Sequence, residues 1–445
     1  MKDLTQGSPT RMILAMAIPV AAGMIFQTLT LLVDLYFVAA LGDDAVAGVG
    51  TAGTLLFMIM ALTQVLGVSA VALISQAVGR QDQAQANRVF NQSISLAFLC
   101  ALITLVFGYG LGDQYLAGIA ADQDAIDQGQ VFLHWFLPGM ALQFAMMAMS
   151  SSLRATGIVK PAMTVQVLTV LLNTALAPVL IAGWGPGPAL GVLGAALAST
   201  ISIAAGILML GWYFLHLERY VSFQPSQWKP DLKIWKRMLE IGLPAGGEMA
   251  LLFIYFSLVY WLIADFGAAA QAGFSIGGRI MQSIFMPTMA IAFAVGPIIG
   301  QNFGAGKHDR VRETYFKGIL LSSLVMVTVT VLIHIRPELM VLAFTDEPEV
   351  IAVAAVFLQL ISWNFVAQGI VFTSSGVFQG LGHTRPALVS SGLRLLVFTA
   401  SALYLKNQPG FTINMVWYVS ILSVTVQALA SYLLVQREFR LRLSC

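Results

Sequence analysis

Four ionisable side chains stand inside long apolar stretches of this chain: Asp34, Glu248, Arg279 and Arg394. A charge near the centre of a bilayer costs several kcal/mol, so such residues mark ion or substrate paths by default. Asp34 carries the most chemistry. Gln27 and Thr30 precede it by seven and four residues on the same helical face, and the three make a polar stripe that would line water. A partly desolvated carboxylate at the end of that stripe can exchange a proton or hold a cation. The alternative is a structural acid hydrogen-bonded to neighbouring helices. Pro19 lies fifteen residues earlier, about 22 Å along a helix. It removes a backbone hydrogen bond from the middle of the same stretch, either as a hinge that moves Asp34 or as a static kink.

Other polar groups could serve the same site. Asn173 and Ser199, in the fifth and sixth apolar stretches, could complete a Na⁺ site around Asp34 or extend a proton-linked network. Asn and Ser also join membrane helices by hydrogen bonds alone. Glu248 could bind a cationic substrate or pair with Arg279, and Arg279 and Arg394 could equally anchor helices. Gln143 and Gln368 could face a substrate cleft. No P-loop, metal-ligand cluster or nucleophile constellation is present, so neither an enzyme nor a cofactor is expected. Uphill work must then draw on an ion gradient or a partner. Cys100 and Cys445 form no disulfide framework.

The elements that must position these groups are membrane helices. Hydrophobic residues make up 58% of the 445 and charged residues 10%, against about 25% charged in soluble domains. A net charge of +2 argues for no nucleic-acid partner. About twelve stretches are long enough to span a bilayer: 12–40, 46–76, 88–110, 128–152, 161–183, 189–215, 236–264, 270–301, 315–335, 350–378, 386–405 and 411–435. The first is too long and too polar for a removable signal peptide, so it should be retained. Lys2, Arg11, Arg80, Arg88, Arg154 and Lys160 fall on one side, with the basic residues of 219–237, 307–317, 385 and 437–442. The opposite loops hold only Arg336 and Lys406. The positive-inside rule then makes both termini cytoplasmic, in a plasma or inner membrane.

The chain also repeats itself at an offset of 225 positions: Pro19 on Pro244, Gly42 on Gly267, Gly48 on Gly273, Gln76 on Gln301, Gln143 on Gln368 and Gly157 on Gly382. One constant register marks a duplicated unit, as in secondary transporters. The fold expected is all-α and membrane-integral, twelve transmembrane helices in two pseudo-symmetric six-helix lobes of the same orientation. The boundaries read as an N-lobe over 1–216, a cytoplasmic linker over 217–235 and a C-lobe over 236–445. A monomer is expected, with membrane lipids as its surroundings. Chemistry should lie where the echo fails: Asp34 falls on Val259, Asn173 on Phe398 and Glu248 on Gly23.

The motifs LGDDAVAGVG at 41–50, SQAVGR at 75–80, RATGIVKPAM at 154–163, LLNTALAP at 171–178 and GVLGAALAS at 191–199, with Asp34 fifteen residues after Pro19, resemble the multidrug and toxic compound extrusion (MATE) family. The resemblance covers nearly the whole chain. It implies an antiporter with a cleft between lobes, exporting amphipathic, often cationic organic compounds in exchange for H⁺ or Na⁺ by alternating access. It further implies ion-coupling roles for Asp34, Asn173 and Ser199, and places Gln27 and Thr30 in the N-lobe cavity. Several positions depart from the family pattern. Ala177 stands where many members have a second acid, Ile370 where some have a C-lobe acid, and Glu248 is about one turn out of register with the other. Asp34 is therefore expected as the main coupling acid, with H⁺ favoured over Na⁺. A lipid-linked oligosaccharide flippase would want a more basic cavity, and a receptor would want larger loops.

Overall fold

A backbone in hydrocarbon has no water to satisfy its N–H and C=O groups, so each apolar run closes its own hydrogen bonds as a helix. The computed structural model describes residues 2–119, 123–184, 187–342 and 344–443, and the side chains of Thr30, Leu31 and Ile119 lie outside the described set. In chain order the helices are α1 (Pro9–Ala39), α2 (Asp43–Gly79), α3 (Gln83–Ile119), α4 (Gln123–Ala155), α5 (Lys160–Ile181) and α6 (Val192–His216). The second half supplies α7 (Leu232–Ile263), α8 (Ala268–Gly304), α9 (His308–Ile335), the single turn α10 (Glu338–Val341), α11 (Pro348–Ile361), α12 (Phe365–Gly380), α13 (Arg385–Lys406) and α14 (Ile413–Arg442). Among the described residues, 12 helical segments are long and apolar enough to cross a membrane, as the sequence implies. The tenth, Pro348–Gly380, is interrupted by one 3-10 turn at Ser362–Asn364.

Both halves use the same devices. Gly42 and Gly267, paired by the repeat, hold φ of +112° and +90° just before α2 and α8, a conformation that other residues adopt only under strain. Small residues then let helices touch backbone to backbone. A Cβ on Gly48 of α2 would sit 2.6 Å from the Ala125 carbonyl of α4, and one on Gly380 of α12 would sit 2.5 Å from the Gly296 carbonyl of α8.

The chain resolves into two compact units. The first holds Met1–Asp3 and Ala22–Gly242, the second Leu4–Ala21 and Leu243–Cys445. Accordingly α1 begins in the second unit and ends in the first, whereas α7 begins in the first and ends in the second. The changeovers fall beside Pro19 and Pro244. The first core is built on Phe132, Phe136, Met140 and Phe144 of α4, with Met238 from the start of α7. The second is built on Phe274, Phe357 and Trp417, the Phe357 and Trp417 rings meeting edge-on at 4.8 Å.

Each unit grips a short segment of irregular chain through side chains that read its backbone. In the second unit, Leu4 is buried; its N–H donates to Gln301 Oε1 at 2.9 Å and its carbonyl accepts from Asn302 Nδ2 at 3.0 Å. Lys307 Nζ donates to the Thr5 carbonyl and Arg310 Nη2 to the Gly7 carbonyl, both at 2.9 Å. In the first unit, residues 220–231 are fixed along α3. Asn91 Oδ1 accepts from the Gln224 N–H and from Trp228 Nε1, and its Nδ2 donates to the Ser222 carbonyl. Gln92 donates to the carbonyls of Gln227 and Lys229 and accepts from the Asp231 N–H. Arg88 Nη2 meets Asp231 Oδ2 at 2.6 Å. Burial pushes the Asp231 carboxyl up, but the Ile234 and Lys233 N–H groups and the Arg88 guanidinium outweigh it and hold the group below its ordinary value.

Candidate functional site

The first unit brings Asp34 and Asn173 together. Asp34 is half-buried on α1, Asn173 is 4% exposed on α5, and Asn173 Nδ2 lies 3.0 Å from both Asp34 carboxylate oxygens. The pairing belongs to a longer seam. A Cβ on Gly23 would lie 2.8 Å from Met163 Sδ, and Gln166 Nε2 donates to Gln27 Oε1 at 3.3 Å. The partners advance together along the two helices, 23 with 163, 27 with 166 and 34 with 173, so α1 and α5 run alongside in one direction. The absence of a side chain at Gly23 sets the close approach at one end. The acid and amide meet at the other.

The local chemistry is that of a site short of positive charge. An ionised carboxylate only accepts hydrogen bonds, and a single amide nitrogen leaves lone pairs on both of its oxygens. Asn173 Oδ1 is itself buried and has no donor among the described residues. A proton on the carboxylate, or a small cation against these oxygens, would supply what is missing.

The remaining expected residues are dispersed. Ser199 is half-buried on α6 and bonds to neither Asp34 nor Asn173 among the described residues; the adjacent Thr200 hydroxyl donates to the Trp135 carbonyl at 2.9 Å. Gln27 is exposed. The Thr30 side chain lies outside the described residues. Gln143 is half-buried on α4 and makes no side-chain hydrogen bond among them. Pro19 sits in continuous α1, two residues before the changeover between units.

In the second unit, Glu248 on α7 does not meet Arg279, which is exposed on α8. Its carboxylate instead accepts from the hydroxyls of Ser375, at 3.0 Å, and Ser391. Gln427 Nε2 donates to Ser391 Oγ at 3.0 Å, and Arg394 Nη1 approaches Gln427 Oε1 and Gln368 Oε1 at 3.4 Å each. Arg394 also covers the Tyr255 ring at 4.3 Å, while the Tyr255 hydroxyl pairs with Ser420 at 2.7 Å. Sequence reasoning missed Gln166, Ser391 and Gln427. The repeat held the signal: Gln166 falls on Ser391 and Gly23 on Glu248, so the α1–α5 seam is rewritten in α7–α13 as a carboxylate against a hydroxyl.

Comparison with known proteins agrees with this architecture. The MatE family model matches residues 19–179 and again 244–405, one match for each copy of the repeat. The chain is 25% identical over 356 residues to the probable multidrug resistance protein YoeA of Bacillus subtilis, covering 79% of this chain and 77% of that protein. It is 24% identical over 421 residues to the multidrug export protein MepA of Staphylococcus aureus, covering 94% and 92%. A solved structure described as the outward-facing conformation of a multidrug resistance MATE family transporter of the MOP superfamily superposes with a TM-score of 0.91 at 23% identity, over 99% of this chain and 97% of that one. The two family matches, laid over twelve membrane-spanning helices, settle the assignment: this chain is a multi-pass membrane transporter that belongs to the MatE family.

Proposed function

We propose that the protein is an H⁺-coupled antiporter that exports amphipathic, often cationic organic compounds, with Asp34 as its main coupling acid and both termini in the cytoplasm. The observation that carries this reading is the Asp34–Asn173 pair, an intramembrane carboxylate held by one buried amide whose own oxygen lacks a donor among the described residues. Relatives named for multidrug export and resistance support the substrate class. Coupling requires only that proton and substrate compete for the site or favour different states of the protein. A proton arriving at Asp34 removes the charge that a cationic substrate would neutralise, so loading of one releases the other. Gln27, Thr30 and Gln143 contribute polar contacts to the substrate, Glu248 a second carboxylate, and Ser199 a hydroxyl on α6 that would join the Asp34–Asn173 pair only in another conformation of the transporter. Pro19 serves as the hinge of α1, which is supported by its place beside the changeover from one unit to the other.

A proton suits the pair better than Na⁺. Hard cations gather about six oxygen ligands, and among the described residues no second acid joins Asp34 to form a cluster of metal-binding side chains. Purified protein in proteoliposomes tests the reading. An imposed pH gradient should drive dye efflux, and Asp34→Asn should reduce that efflux at least about tenfold, the loss of one charge-assisted interaction. Efflux that survives the substitution, or that a Na⁺ gradient alone drives equally well, overturns the proton scheme.

A further inference from the structure

Arg394 is an intramembrane cation whose charge is left over in the second unit. Among the described residues no carboxylate lies within ion-pair distance of it. Its only hydrogen bonds there leave from Nη1, to the amide oxygens of Gln368 and Gln427, and both are long at 3.4 Å. Nε is sealed from solvent and has no acceptor. Nη2 has no acceptor among the described residues either, yet it is not sealed, so the guanidinium is reachable at Nη2 alone. One oxygen of an oxyanion can meet it there in a charge-assisted bond. The Tyr255 ring under the guanidinium holds the plane in place, and the Tyr255 hydroxyl is occupied by Ser420.

Glu248 does not satisfy this charge directly. The hydrogen bonds run from Arg394 to the Gln427 oxygen, from the Gln427 nitrogen to Ser391, and from the Ser391 hydroxyl to Glu248, so the two charges are separated by two neutral side chains. A second hydroxyl, Ser375, serves the same carboxylate. Burial of an ionic group with its donors unmatched is costly, and an acceptor brought by a ligand removes the cost.

We propose that the second unit carries an oxyanion-binding site centred on Nη2 of Arg394, which takes the carboxylate, sulfonate or phosphate of an amphipathic molecule. Gln368, Gln427 and Tyr255 are positioning residues that fix the guanidinium plane. The site is separate from Asp34 and stands or falls independently of antiport.

Equilibrium binding to the purified full-length chain tests it, with a lipophilic carboxylate dye and its methyl ester as probes. The native protein should bind the carboxylate at least about tenfold more tightly than the ester, as expected of a charge-assisted contact. Arg394→Gln should erase that preference and leave ester binding unchanged; Arg394→Lys, which keeps the charge but not the planar head stacked on Tyr255, should restore part of it. Equal affinity for acid and ester in the native protein overturns the site without recourse to any variant, and so does a preference that persists in Arg394→Gln. Repeating the measurement in phosphatidylcholine nanodiscs with and without phosphatidylglycerol separates the sources. Competition by the anionic lipid assigns the site to a headgroup, and its absence assigns it to a soluble amphiphile; both uphold the oxyanion site. Asp34→Asn should leave the acid–ester preference intact.

Discussion

Asn173 holds Asp34 through a single nitrogen, so the acid loses its only described side-chain donor if that residue becomes apolar. Asn173→Leu, close in volume, should therefore cut pH-driven dye efflux by about tenfold or more, since a hydrogen bond to a charged group contributes about 1.5–3 kcal/mol. The same substitution should leave binding of a neutral amphiphile unchanged, and an equal loss for charged and neutral probes in a binding assay would instead indicate general misfolding. Asp34 and Asn173 could both be picked out of the sequence because a polar group in an apolar run is conspicuous. Which polar groups actually meet was less legible. Ser199 stands on the helix after Asn173 and looked equally eligible, yet its hydroxyl does not reach the pair. Gln166, Ser391 and Gln427 looked like ordinary helix-joining residues, and their importance depends on which face each helix presents, which periodicity cannot report when every face is apolar.

The α1–α5 and α7–α13 seams show how one helical pairing supports two chemistries. In the first, Gly23 permits close contact and the polar pair comes later along the helices; in the second, the position of Gly23 is taken by Glu248. The spans themselves were legible from length and hydropathy. The 3-10 turn at Ser362–Asn364 was not, because neither Gly nor Pro marks it. The 217–235 stretch read as a connector, and composition gave no hint that Asn87, Asn91 and Gln92 of α3 bind its backbone. Its attachment should depend on pH. Because the folded-state carboxyl of Asp231 titrates below its ordinary value, its contribution is complete above the ordinary carboxylate range and is lost as the pH falls through the depressed value. Hydrogen exchange at residues 220–231, corrected for intrinsic rates, should therefore accelerate on acidification. Asp231→Asn should make exchange fast at neutral pH and flatten that dependence.

Duplication tells which segments were copied, and the two family matches show the copies plainly. It carries no information about where the two ends of one helix pack, because that is decided by contacts distant in sequence. A lobe boundary drawn through 217–235 and the compact units thus describe different things: the first follows the repeat, and the second follows packing, in which the starts of α1 and α7 each lie in the unit that does not contain their ends. The anchor of α1 can be tested at its smallest part. Leu4 is fully buried within the first few residues of the chain, so Leu4→Ala should lower stability by about 2 kcal/mol or more. Thermal unfolding in detergent would show this as a lowered midpoint, while Lys2→Ala should not; an unchanged midpoint for Leu4→Ala would mean that the segment is not docked.

That anchor also has a timetable. Leu4 and the Gln301 side chain that receives its N–H are 297 residues apart, and synthesis at about 5–20 residues per second separates their appearance by roughly 15 seconds to a minute. During that interval the first helix is already made, while the polar atoms that will cap its leading segment do not yet exist. Leu4 cannot dock until Gln301 and Asn302 have been made, so the last step in placing α1 follows the synthesis of α8.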